Sequence, residues 1–204
     1  MSGIVVSDAL RTSSPELEDT RIERSSGVVP SDTLELLAYL GDARAARVVG
    51  QARALGFGEE AWFAGLVRWG PALPVWVAVQ AIRVAAEPAS AELAQDLATV
   101  EALEAAHLFA LAPSSSMARN ANGAALRVPE RFTPTRRTCL RLASREAALA
   151  ASHGEGGDLA LVANSAWRSF SFAQAATELS TSDFETRLAS HLVAEILLGR
   201  EPVF

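Results

Sequence analysis

Alanine, the residue that gives up least on entering a helix, fills about a fifth of this chain. Glycine and proline fall mainly at the joints between its apolar stretches. No stretch alternates apolar and polar residues for long enough to suggest a strand. At 204 residues, half of them hydrophobic, the chain is long enough to bury a substantial core. These features predict an all-α fold, an irregular helical bundle of about eight or nine helices with no sheet. The breaks are short, so successive helices should pack antiparallel in pairs.

Residues 1–30 mix Ser, Thr, Glu and Arg with few large apolar groups and read as a flexible N-terminal arm. A single α-helical domain is expected over 31–204. Ser31, Asp32 and Thr33 can cap a helix carrying Leu36, Leu37 and Leu40, which Gly41 ends. Asp42 can cap the next. Gly56 and Gly58 precede a helix with Trp62, Phe63, Leu66 and Trp69, and Gly70-Pro71 closes it. From Val75 to Ala86 the chain is apolar nearly all round, with Gln80, Arg83 and Glu87 as a narrow polar stripe. Such a helix belongs at the centre of a bundle. Beyond Pro88 a longer helix is expected to about Leu111, then a short polar one to about Leu126. Pro129 to Pro134 links to a helix over Thr135 to Ser152. Asp158 can cap a helix to about Glu178, and Ser180 can open a last one that Gly199 terminates.

The run Leu36-Leu37-Ala38-Tyr39-Leu40-Gly41-Asp42-Ala43-Arg44-Ala45 resembles the Gly-Asp-x-Arg-Ala phrase of HEAT-like helical repeats. There the glycine ends one helix and the aspartate caps its partner. The phrase is also similar to that of uncharacterised alanine-rich helical proteins of high-GC bacteria, some joined to repeat-companion modules. The likeness spans about residues 34–125 and includes the Trp69-Gly70 break. It implies HEAT-like helix pairs at the N-terminal end and an interaction module rather than an enzyme. Where that group carries a cysteine-bearing break, this chain has Pro113-Ser114-Ser115-Ser116.

The net charge of −6 argues against nucleic-acid binding, which needs a basic surface. The one cysteine, Cys139, rules out an internal disulfide and any Cys-rich zinc site. The opening residues do not read as a signal peptide, and Ala72 to Val79 is too short to span a bilayer. The expectation is a cytoplasmic protein that binds no membrane. Phosphate-loop, dinucleotide, serine-elbow and His-Glu-x-x-His signatures do not occur, and all 18 basic residues are arginine. Gly154-Glu155-Gly156-Gly157 could cradle an anion ahead of Asp158, but its carboxylates favour a plain loop.

Three helices each carry one glutamate and one histidine among apolar residues. At about 100° per residue, Glu104 falls within the stripe of Leu93, Leu97, Val100 and Leu111, with His107 a turn on. Cys139, Leu142, Glu146, Leu149 and His153 share a face, as do Phe184, Leu188, His191, Leu192 and Glu195. Glu104, His107, Glu146, His191 and Glu195 are therefore candidate ligands for a divalent metal, because Glu-x-x-His on facing helices is a carboxylate-metal pattern. The pattern occurs once, and separate Glu–His or Glu–Arg hydrogen bonds are the plainer alternative. No other cofactor is implied.

Six arginines crowd between Arg127 and Arg145, and Arg137, Arg141 and Arg145 recur at every fourth position. That stripe can recruit an acidic partner or an anion, or pair with the chain's own Glu130 and Glu146. Trp62, Trp69, Trp76 and Trp167 sit in apolar company, and any that is exposed would be an anchor for a partner. The first reading is a non-enzymatic protein–protein interaction module of accessory, adaptor or toxin-neutralising type. The alternatives are a helix-bundle protein for a metal or small ligand, and a structural subunit that self-associates through an apolar helix face.

Overall fold

The computed structural model describes residues 43–50, 55–131, 133 and 135–202. The expected arm, the helix after Ser31 and the Leu36–Asp42 part of the HEAT-like phrase lie outside the described residues. Helices follow one another in the order α1 (Ala43–Ala45), α2 (Glu60–Leu66), α3 (Ala72–Ala86), α4 (Ser90–Leu93), α5 (Leu97–Leu111), α6 (Ser115–Arg127), α7 (Arg136–His153), α8 (Leu159–Ala175) and α9 (Thr181–Leu197). A π-type turn, Ala46–Gly50, continues α1. No strand occurs among the described residues, so the all-α expectation holds. None of their helices is long and apolar enough to cross a membrane.

Local chemistry sets most of the boundaries. Asp96, Ser114, Thr135, Asp158 and Ser180 each accept a backbone N–H from three residues on. A cap of this kind contributes about 1 kcal/mol. Asp96 also explains a difference from the sequence expectation. The segment after Pro88 is not one long helix but α4, a break, and then α5, because Asp96 opens a new helix by capping Thr99.

Helix α3 is the axis of the bundle. Every one of its residues except Arg83 is buried, and it packs against α5, α7, α8 and α9. The indole N–H of Trp76 donates to the Arg200 carbonyl at 3.2 Å, tying the end of the described chain to α3. An aromatic cluster fills the space between α2, α8 and α9. Phe170 lies 6.4 Å from Trp62, 5.7 Å from Phe63 and 5.6 Å from Phe184 between ring centroids. Gly58 lets the chain pass close by. Its φ is +79°, and a Cβ there would sit 2.6 Å from Phe170 Cε1.

A second layer is built almost wholly from alanine. The buried face of α5 is Thr99, Ala102, Ala105, Ala106, Phe109 and Ala110. It packs against α6, where Ala118, Ala121, Ala124 and Ala125 are buried, and against α7, whose buried residues include Ala143, Ala147, Ala148, Ala150 and Ala151. Small side chains let helix axes approach toward the short end of the usual 8–10 Å range.

The stripe of Leu97, Val100, Glu104 and Leu111 on α5 consequently turns outward, not into the core. Leu97 is 69%, Leu108 48% and Leu111 42% exposed, and Glu104 is exposed among them. Burying those leucines would wedge α5 away from α6 and α7, so the continuous alanine face wins over the larger side chains.

Candidate functional site

Two grooves and one polar seam gather the chemistry-bearing side chains. The larger groove, about 720 Å³, runs between α7 and α8. Helix α7 lines it with Leu142, Glu146, Leu149 and His153, the face anticipated from their spacing. Helix α8 contributes Leu161, Ser165, Arg168 and Phe172, which follow the same helical spacing.

Glu146 is the centre of this groove and is only 1% exposed. Arg145 Nη1 donates to its Oε1 at 3.2 Å, and Arg168 Nη2 lies 3.3 Å from the same oxygen. Oε2 has no hydrogen-bond partner among the described residues. Burial pushes the Glu146 carboxyl above its ordinary value, while Arg168, Arg145 and His153 pull it back and Glu130 adds to the rise. Arg145 also pairs with Glu130 at the rim.

The polar seam lies where α3, α5 and α9 meet. Gln80 is fully buried, and its Oε1 accepts from His191 Nε2 at 3.0 Å. The Gln80 amide nitrogen and His107 Nδ1 lack partners among the described residues. Glu195 is buried beside Arg200 at 3.4 Å. Burial depresses both histidines. Arg83 lowers each further, and Glu195 opposes the shift. Burial lowers Arg83 as well, against the pull of Glu195. Arg83 is the residue that joins this seam together. Its signal in the sequence is its place in the narrow polar stripe with Gln80 and Glu87.

The second groove, about 360 Å³, opens from the seam onto the outer side of α5. Its walls are Leu93, Val100 and Leu103, with Arg83, Glu104 and His107 among its polar lining.

The five candidate metal ligands therefore do not share one centre. His107, His191 and Glu195 gather around Arg83, Glu104 stands outside His107 on the groove wall, and Glu146 belongs to the other groove. Among the described residues no three His, Cys, Asp or Glu side chains are placed to hold a metal ion. The physical reason is the rotation of α5 already described, which sends Glu104 outward, and the guanidiniums that occupy Glu146 and flank the histidines.

The arginine stripe on α7 is partly turned onto its own chain. Arg141 donates to the Arg131 carbonyl at 2.7 Å, Arg145 pairs with Glu130 and Glu146, and Arg137 stays exposed. In the glycine-rich loop Glu155 pairs with Arg119 at 2.9 Å. Trp62 and Trp76 are fully buried, while Trp69 and Trp167 are half-buried against the core.

The seam has a consequence for pH. A histidine whose folded pKa lies below its unfolded value near 6.5 favours the neutral form on folding. Its contribution is complete above that value and is lost as pH falls through the folded pKa. Glu146 and Glu185, both raised by burial, act with the opposite sign, and their share fades as pH rises through their folded values. The melting temperature of the wild-type chain is expected to fall more steeply from pH 7 to pH 5.5 than that of a His107→Gln, His191→Gln double variant. Parallel curves would show that the histidines are not the cause.

Comparison with protein-family models, with curated proteins and with solved structures found no match for this chain.

Proposed function

We propose that this protein is a non-enzymatic protein–protein interaction module that receives a basic amphipathic helix of a partner along the outer side of α5. The observation that carries the reading is the inversion of that helix, with alanines buried and leucines exposed. An apolar stripe one helix long, beside a groove of about 360 Å³, matches the helix-in-groove mode of recognition. Glu87 and Glu104, exposed on the groove's lining, form no ion pair with any described residue. Exposed carboxylates without an ion-pair partner beside leucines favour lysine and arginine on the incoming helix.

The size of the stripe favours a single helix over a second copy of the chain. Fifteen helical residues extend about 22 Å, and with a helix about 10 Å wide the face covers a few hundred Å². That is well short of the roughly 800 Å² per partner found in a stable dimer.

The test compares the wild-type protein with a Leu108→Glu, Leu111→Glu double variant. Native mass spectrometry first establishes whether either self-associates. Quantitative affinity purification then identifies what each retains, and titration measures binding of a peptide from the retained partner. A monomeric wild type whose partner peptide binds at least about tenfold more weakly to the variant supports the reading. A dimer that the double variant dissolves would assign the face to self-association instead. Equal binding by both forms would remove α5 from the interface.

A further inference from the structure

The groove between α7 and α8 shares no lining residue with the groove beside α5, and its chemistry is different. Four features stand together. Glu146 is almost wholly buried, yet its Oε2 has no partner among the described residues. An acceptor left in that condition is costly, the more so if charged. Both nearby guanidiniums address the other oxygen, Oε1. Arg168 is half exposed, and with one nitrogen turned to Glu146 it keeps further N–H groups for the mouth of the groove. Around them Leu149, Leu161 and Phe172 line the groove with apolar surface, and Leu161 is exposed.

Charge decides which ligand this arrangement suits. Two carboxylates, Glu130 and Glu146, balance two guanidiniums, Arg145 and Arg168. The site is electrically neutral overall but polarised, with a buried acceptor that lacks a partner among the described residues beside an exposed donor set. A simple anion would meet two carboxylates and a simple cation two arginines. A molecule with both charges close together meets neither penalty. We infer that this groove binds an α-amino acid with an apolar side chain, its carboxylate held by the exposed Arg168 and its ammonium taken by Glu146 Oε2 as that buried side chain turns toward the groove. The side chain lies on Leu149, Leu161 and Phe172. The groove is larger than one amino acid, so the molecule occupies the stretch around Glu146 and leaves the remainder to water.

The experiment is calorimetric titration of the full chain with L-leucine and with L-phenylalanine. Two probes each lacking one charge, 4-methylpentanoate and isoamylamine, are titrated alongside. Saturable binding of at least one amino acid is expected, with either single-charge probe at least about tenfold weaker. Arg168→Ala removes one of the two guanidiniums beside buried Glu146, so melting should fall, but the circular dichroism spectrum should be unchanged while Kd rises at least about tenfold. Glu146→Gln keeps the shape but removes the charge that holds the ammonium, and should do the same where it folds. No saturable heat from either amino acid would overturn the assignment. Equal affinity for 4-methylpentanoate or isoamylamine would overturn it too, as would an unaltered Kd in folded Arg168→Ala.

Discussion

Phe170→Ala is expected to destabilise the protein by about 3–5 kcal/mol, the usual range for removing a buried aromatic ring. The ring is almost fully buried and is shared by three parts of the chain. It touches Trp62 and Phe63 of α2 and Phe184 of α9 while projecting from α8. Relaxation around the missing ring is restricted, because Gly58 already brings backbone against it and Trp62 is fixed by its indole N–H on the Val48 carbonyl at 3.2 Å. The cavity should therefore stay open, and cavity volume adds to the lost transfer energy. Urea unfolding followed by circular dichroism measures it. A loss below about 1 kcal/mol would mean that the ring is not the hub its contacts describe.

Enlarging a buried alanine in the second layer should be nearly as damaging. Ala106→Leu adds three carbons where α5 meets the alanine faces of α6 and α7. Overpacking of a filled core typically costs about 1–3 kcal/mol, and the upper end applies where no flexible neighbour can give way. Leu108→Gln, two residues further along the same helix, should change stability by no more than about 0.5 kcal/mol, because Leu108 is half exposed and the two residues have similar helix propensity. The pair is a direct reading of the orientation of α5. Were the leucine change the costlier of the two, the helix would have to be turned the other way round.

That orientation also marks the limit of what could be read in advance. Alanine content, joints rich in glycine and proline, and capping residues such as Asp158 and Ser180 speak through local backbone chemistry, so helix existence and most boundaries were legible. The central place of α3 followed from its lack of a polar face. Helix α5 offered two apolar faces, one of leucine and one of alanine. Hydrophobicity ranks the leucine face first, whereas the choice depends on how closely α6 and α7 approach, which is a tertiary quantity. The same holds for the candidate residues. The face of Leu142, Glu146, Leu149 and His153 was visible as a spacing. Nothing local marked Arg168, one lone arginine on α8, as the group that would cross to Glu146. Nor could spacing reveal that the Arg83 charge would act on both His107 and His191, in a seam without a metal centre among the described residues.

The succession of packed neighbours, α5 on α6, α6 on α7 and α7 on α8, bears on the time course of folding. Each of these contacts closes across a short connection, so little chain entropy is lost before the pair is rewarded. Assemblies dominated by such near contacts fold on the fast side of the known range, in microseconds to milliseconds. The contact of α9 with α3 is of another kind, since it joins segments separated by most of the bundle. Closing it fixes a far longer loop than closing any of the hairpins does. Chain entropy therefore sets α9 apart from the stack of α5 to α8, whose contacts close over short loops.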